Sequence, residues 1–137
     1  LESLDCPFRT ADKILSYFKE KNIKIILVDF HAEATSEKRA LAMYLDGKIS
    51  ALFGTHTHVQ TADEQILPNG SGYITDLGMT GPVQSVLGVK SDIVISKFIN
   101  KLPVRFELAD GECALCGALF SIDEKTGMCT DIKRIKY

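Results

Sequence analysis

Apolar positions along the first hundred residues follow two different periods. Ala11, Ile14, Leu15 and Phe18 recur at helical spacing and predict a helix from residue 9 or 10 to about residue 21, with Pro7 near its entry and Asn22 as its breaker. Residues 23–30 then run almost unbroken through Ile23, Ile25, Ile26, Leu27, Val28 and Phe30, the pattern of a central strand covered on both faces. Residues 31–36 read as a strand-to-helix connection, with Thr35 or Ser36 as the cap. Residues 37–46 carry Ala40, Leu41, Tyr44 and Leu45 at helical spacing before Gly47 stops them. Residues 49–53 form the next buried strand. Strand, helix and strand joined this tightly predict a parallel, right-handed βαβ unit.

The pattern loosens afterwards. Residues 55–70 read as a long loop with a helical turn at 62–65 and a turn signal at Pro68-Asn69-Gly70. A short strand is expected at 72–75, a glycine-rich loop at 76–82, a helical segment at 83–88 and a firmer helix at 92–100. The last third changes character. Residues 104–109, 113–122 and 128–135 predict an antiparallel three-strand meander that turns at Asp110-Gly111 and again at 123–127. Residues 1–137 are therefore read as one α/β domain, a βαβ segment followed by the meander.

Composition narrows the picture only a little. The hydrophobic fraction of 45% is ordinary for a globular chain, and 16 basic against 18 acidic residues leave no block of one sign to attract nucleic acid or an anionic membrane. There is no run of eighteen apolar residues and no leader pattern, although the chain begins without Met. A zinc knuckle at Cys113-Ala114-Leu115-Cys116 would need a turn there and a second thiol pair, which Cys6 and Cys129 do not form. Cys113 and Cys116, three apart on an expected strand, point to opposite faces, so the thiols are read as reduced and at least some of them as buried apolar residues. These features predict a cytoplasmic, non-membrane protein.

Candidate chemistry gathers at three histidines. His31 ends the first apolar run, and His56 and His58 follow the second through Gly54-Thr55. Two neighbouring strands that finish in histidine suggest one site at a sheet edge, where open α/β sheets place their ligands. If the segment is extended, His56 and His58 project to one side and Thr57 to the other. Neutral imidazoles are good transition-metal ligands, so the three are read as candidate metal ligands; the competing reading is polar loop histidines and one satisfied internal histidine. Asp29, Glu33, Asp63 and Asp76 lie near strand ends and could orient imidazoles or add oxygen ligands. Arg105 could steer an anion. Neither a phosphate loop nor a serine nucleophile elbow is present in the sequence, and nothing near Cys6 activates it as a nucleophile.

Three blocks in order, Val28-Asp29-Phe30-His31-Ala32-Glu33-Ala34-Thr35-Ser36-Glu37, Gly54-Thr55-His56-Thr57-His58-Val59-Gln60-Thr61-Ala62-Asp63 and Tyr73-Ile74-Thr75-Asp76-Leu77-Gly78-Met79-Thr80-Gly81-Pro82, closely resemble the YmdB-like bacterial metallophosphoesterases of the calcineurin-like superfamily. Pro103-Val104-Arg105-Phe106-Glu107 is similar as well. The resemblance runs over nearly the whole chain and is expected to cover only the carboxy-terminal half of the family's domain. It implies part of an α/β/β/α sandwich with two divalent or mixed-valence metal ions, iron or manganese, between its sheets. It also implies hydrolysis of 2′,3′-cyclic nucleotides or similar phosphodiesters. By the same resemblance His31 and His56 ligate one metal and His58 the other.

The family's early aspartate, bridging glutamate, two asparagines and proton-donating histidine have no counterpart here. The isolated chain is therefore expected to be inactive, its partner being a missing amino-terminal segment or a complementary chain, with a homo-oligomer as a further arrangement. Competing readings are a non-catalytic structural or interaction module and a phosphatase of another substrate class.

Overall fold

The computed structural model describes residues 4–137; residues 1–3 of the expected lead-in lie outside the described residues. Helix α1 (Pro7–Glu20) starts on proline itself, earlier than the apolar spacing predicts, because a fixed φ and a missing N–H suit the first helical turn. Lys21 caps it, and Asn22 turns the chain away with φ of 56°. Strand β1 (Leu27–His31), helix α2 (Thr35–Leu45) and strand β2 (Ala51–Thr55) follow, and β1 and β2 pair in parallel as expected. Thr35 and Ser36 are the first residues of α2 rather than its caps; Ala34 holds the cap position and supplies no side-chain bond.

Strands β3 (Gln65–Ile66) and β4 (Gly72–Ile74) complete the first sheet, in the order β1-β2-β4-β3. Strand β4 runs parallel to β2, and β3 runs antiparallel to β4. The turn expected at 62–65 is thus partly replaced by β3. On one face of the sheet, Leu41, Ala42 and Leu45 of α2 form the core with Ile49, Leu52, Leu67 and Tyr73. Phe8, Ala11 and Leu15 of α1 pack against that cluster together with Val28 and Phe30 of β1.

The expectation of a central β1 covered on both faces is corrected by this arrangement. Only residues 27–31 of the apolar run are strand, and β1 lies at the sheet edge. Val28 and Phe30 face the helices, whereas Leu27 is 54% exposed. A continuous apolar run signals two covered faces only if both covers are present, and among the described residues one is not.

Strand β5 (Gly81–Pro82), helix α3 (Ser91–Asn100), strand β6 (Cys113–Ala114) and the hairpin strands β7 (Cys116–Ile122) and β8 (Cys129–Lys136) finish the chain. Residues 83–88 are bends and a narrow bridge rather than a helix, and β5 pairs with β6. The α/β class holds, but residues 104–109 contribute only a bridge from Leu108 to Val89, so the antiparallel ladder at the end of the chain is the two-stranded β7–β8 hairpin. Phe106 and Leu108 remain exposed, and an alternating segment that buries so little apolar surface gains little from becoming a strand. The hairpin covers the opposite face of the sheet at its β4–β3 end, where Phe120 and Cys129 close on Gly72. All four cysteines are free, and Cys129 is the buried one. No helix among the described residues is long and apolar enough to cross a membrane.

Candidate functional site

The parallel register sets His31 directly beside Thr55 at the carboxyl ends of β1 and β2. His31 Nδ1 lies 3.0 Å from Thr55 Oγ1, and that hydroxyl donates to Asp29 Oδ1 at 3.3 Å. A carboxylate and a hydroxyl on the two strands thus orient the His31 ring, leaving its Nε2 aimed outward. One residue past Thr55, the His56 ring meets it. His56 Nδ1 is 3.2 Å from His31 Nε2, and the rings cross at 72° with centroids 5.0 Å apart.

The segment after β2 is not extended, so the condition for a same-side projection of His56 and His58 is not met. Their φ angles are 118° and 64°, a backbone region that β-carbon-bearing residues enter rarely and at a cost of about 1–3 kcal/mol each. His58 is turned elsewhere, with Nδ1 3.4 Å from the Leu87 carbonyl. Beside it opens a cleft of about 400 Å³ whose lining includes Gln60, Met79, Leu87, Arg134 and Lys136. Arg134 is held by Glu64 at 2.7 Å.

Such a backbone persists only if its surroundings fix it, and the loop after β4 does so. Leu77 N–H donates to the Gly54 carbonyl at 3.0 Å, Met79 N–H to the His58 carbonyl at 3.2 Å, and Thr61 N–H to the Asp76 carbonyl at 3.1 Å. The Asp76 side chain adds the central tie. Its Oδ2 accepts from Thr57 N–H at 2.9 Å and from the Lys38 ammonium at 3.0 Å, and its Oδ1 accepts from Gly78 N–H at 2.9 Å. Both charged side chains are essentially excluded from solvent. Burial pushes the Asp76 carboxyl up, but the Thr57 and Gly78 N–H groups and Lys38 together outweigh it and hold it below the usual carboxylate range. Gln60 anchors the far end, donating to the carbonyls of Gly117 and Ile135 on the hairpin strands.

The structure therefore brings His31 and His56 together and leaves His58 apart. Among the described residues no group of three or more His, Cys, Asp or Glu side chains forms a metal-holding cluster. Of the carboxylates singled out in the sequence, Asp29 reaches an imidazole through Thr55, whereas Asp63 and Asp76 serve backbone. Asp63 accepts from Thr75 N–H and the Thr75 hydroxyl. Arg105 is exposed, in keeping with a solvated side chain. Sequence reasoning misses Lys38, the bridging role of Thr55 and the anchoring role of Gln60. Lys38 carries a signal nonetheless: it precedes Leu41, Ala42 and Leu45 at helical spacing, inside the stripe that faces the core.

The chain matches the family model described as YmdB-like protein over residues 1–135. It is 50% identical over 135 residues to the 2′,3′-cyclic-nucleotide 2′-phosphodiesterase of Bacillus subtilis (strain 168), a match that covers 98% of this chain and 51% of that protein. A crystal structure of a hypothetical protein from Thermus thermophilus superposes with a TM-score of 0.90 at 39% identity, over 100% of this chain and 52% of the other. A phosphatase from Mycoplasma pneumoniae gives a TM-score of 0.88 at 38% identity, over 96% and 46%. The chain thus spans about half the length of the relatives it matches. The expectation of a resemblance limited to a carboxy-terminal half is corrected by the family match, which extends over essentially the whole chain. With that match and these relatives, the chain belongs to the YmdB-like protein family.

Proposed function

We propose that this chain is one part of a metallophosphoesterase domain, and that the whole protein hydrolyses 2′,3′-cyclic nucleotides or similar phosphodiesters with the help of two metal ions, iron or manganese. His31 and His56 hold one ion and His58 contributes to the other. The relatives support the reaction class, since one is a 2′,3′-cyclic-nucleotide phosphodiesterase and another a phosphatase.

The observation that carries the reading is the 3.2 Å separation of His31 Nε2 and His56 Nδ1. Two imidazole nitrogens bound to one ion at about 2.1 Å with tetrahedral angles stand about 3.4 Å apart, so the pair fits a shared cation with little movement. When bound, the ions supply positive charge that polarises a phosphoryl group. The chain's own residues orient and bind. Asp29 and Thr55 fix the His31 ring so that Nε2 faces His56. The cleft beside His58 offers a phosphodiester anion Lys136 as a cation at its wall, while Arg134 is paired with Glu64.

Two histidines on one ion and one on another leave most of the coordination to be completed, so the remaining ligands come from the rest of the polypeptide or from a complementary chain. Metal content and 2′,3′-cyclic-nucleotide hydrolysis, measured on residues 1–137 alone and on the natural full-length protein, test this. The expected result is weak metal retention and negligible turnover for the chain alone, with both present in the full-length protein. Rapid turnover by residues 1–137 with two tightly held ions defeats the division of the site, and a full-length protein without metal-dependent phosphodiesterase activity defeats the function.

A further inference from the structure

We infer that Asp76 is a positioning residue for the two histidines of the His56-Thr57-His58 segment, with the buried Lys38 ammonium 3.0 Å away as its counter-charge. The inference rests on the metal reading of His56 and His58 and adds to it a residue that touches neither ring.

Thr57 lies between two residues held at positive φ, so the direction of both imidazoles depends on the peptide plane at Thr57. That plane is fixed by one side-chain bond, from Thr57 N–H to Asp76 Oδ2. The other carboxylate oxygen takes Gly78 N–H, which turns the second loop, at φ of 77°, so that Met79 N–H reaches the His58 carbonyl. Two acceptor oxygens on one planar group therefore set both loops at once. Only an ionised carboxylate does this: an amide has a single acceptor oxygen, and its nitrogen would confront an N–H donor.

Ionisation in a site closed to water needs a counter-charge, and Lys38 supplies it from the core-facing stripe of α2. Its side chain runs beneath Gly54, where a β-carbon would come within 2.7 Å of Lys38 Cδ. A buried ion pair is a poor source of stability compared with apolar residues of the same volume. What the pair does here is tie down the segment that carries both histidines.

The test uses Co²⁺ as the probe in the natural full-length protein, with binding isotherms and the visible ligand-field spectrum as readouts. Asp76→Asn is expected to weaken Co²⁺ binding by about 10- to 100-fold and to change the spectrum, the size of effect typical when a group that orients a ligand is lost. Because Asp76→Asn strands the Lys38 charge and could prevent folding, the double variant Lys38→Met/Asp76→Asn removes both charges and is expected to show the same loss. Leu45→Ala, a core truncation away from the loops, is expected to lower the melting temperature while leaving affinity and spectrum unchanged. Wild-type affinity and spectrum in a folded Asp76 variant overturn the inference alone. So does an equal loss in Leu45→Ala, which would assign the effect to stability. Wild-type protein that takes up no Co²⁺, or His56→Ala that takes up as much as wild type, overturns the metal reading and this inference with it.

Discussion

His31 Nε2 and His56 Nδ1 face each other across 3.2 Å, although the two residues are 25 positions apart in sequence. If they share one ion, removing either should cost nearly the same metal equivalent, and removing both should cost little more. His31→Ala, His56→Ala and the double variant of the full-length protein are therefore expected to lose the same single equivalent, whereas His58→Ala loses a different one. Metal stoichiometry after desalting checks this. Additive losses in the double variant would separate the two histidines onto different ions.

Thr55 joins Asp29 to the ring of His31 through its hydroxyl. Thr55→Val keeps the shape of the side chain and deletes the hydroxyl. Metal affinity is expected to fall by about 10-fold, because His31 loses the partner that fixes its orientation. Titration calorimetry on the two proteins measures the difference; equal affinities would leave Thr55 with only its place in β2.

The sequence shows the β1–α2–β2 unit more clearly than the shape of the loops. Alternating apolar and helical runs locate α1, β1, α2 and β2, and the short joins imply their parallel order, because those signals depend on which side chains are buried nearby. The histidine loop is less legible. Gly54-Thr55-His56-Thr57-His58 reads as extended because nothing local announces positive φ at two histidines; the cause is a carboxylate 19 residues beyond Thr57. The edge position of β1 is hidden for a related reason. Its composition reads as that of a strand covered on both faces, while among the described residues β1 lies at the edge with Leu27 exposed. Residues 104–109 mislead in the opposite direction, since their alternation signals a strand where no surface is available to receive it.

Gly54 is needed for its lack of a side chain rather than for an unusual φ. A β-carbon there would overlap the Thr75 carbonyl as well as the Lys38 stem, and the carbonyl belongs to backbone that cannot swing aside. Gly54→Ala is expected to destabilise the chain by about 1–3 kcal/mol, the range for overpacking a closed site. Urea unfolding of the two proteins gives the value directly. An unchanged midpoint would mean that the β2–β4 contact is looser than the structure has it.

Asp63 links acid stability to the same region. Burial raises its carboxyl, but hydroxyls of Thr61 and Thr75 and the Thr75 N–H lower it further, so it titrates below the ordinary carboxylate range in the folded chain. Well above about pH 4 both folded and unfolded forms are ionised, and the full contribution to stability is present. As pH falls, the unfolded chain takes up the proton first, and the contribution is lost until the folded carboxyl also protonates. Asp63→Asn is therefore expected to be less stable than wild type at pH 7 and to lose less stability on going to about pH 3. Urea midpoints at the two pH values test it, and parallel losses in both proteins would show that Asp63 is not part of the acid response.

The open side of β1 yields the last prediction. Among the described residues β1 pairs only with β2, so its outward N–H and C=O groups lack strand partners, and Leu27 lies exposed on its uncovered face. An exposed parallel edge with apolar residues beside it is an unfavourable surface to leave open. The relatives are about twice as long as this chain. On the proposed division of the site, the rest of the polypeptide adds a strand beside β1 and so brings its metal ligands to His31. Hydrogen exchange of β1 amides should then be slow in the natural full-length protein and faster in residues 1–137 alone, while β2 amides remain protected in both. Equal and rapid exchange of β1 in the two proteins would place the remaining ligands elsewhere than along this edge.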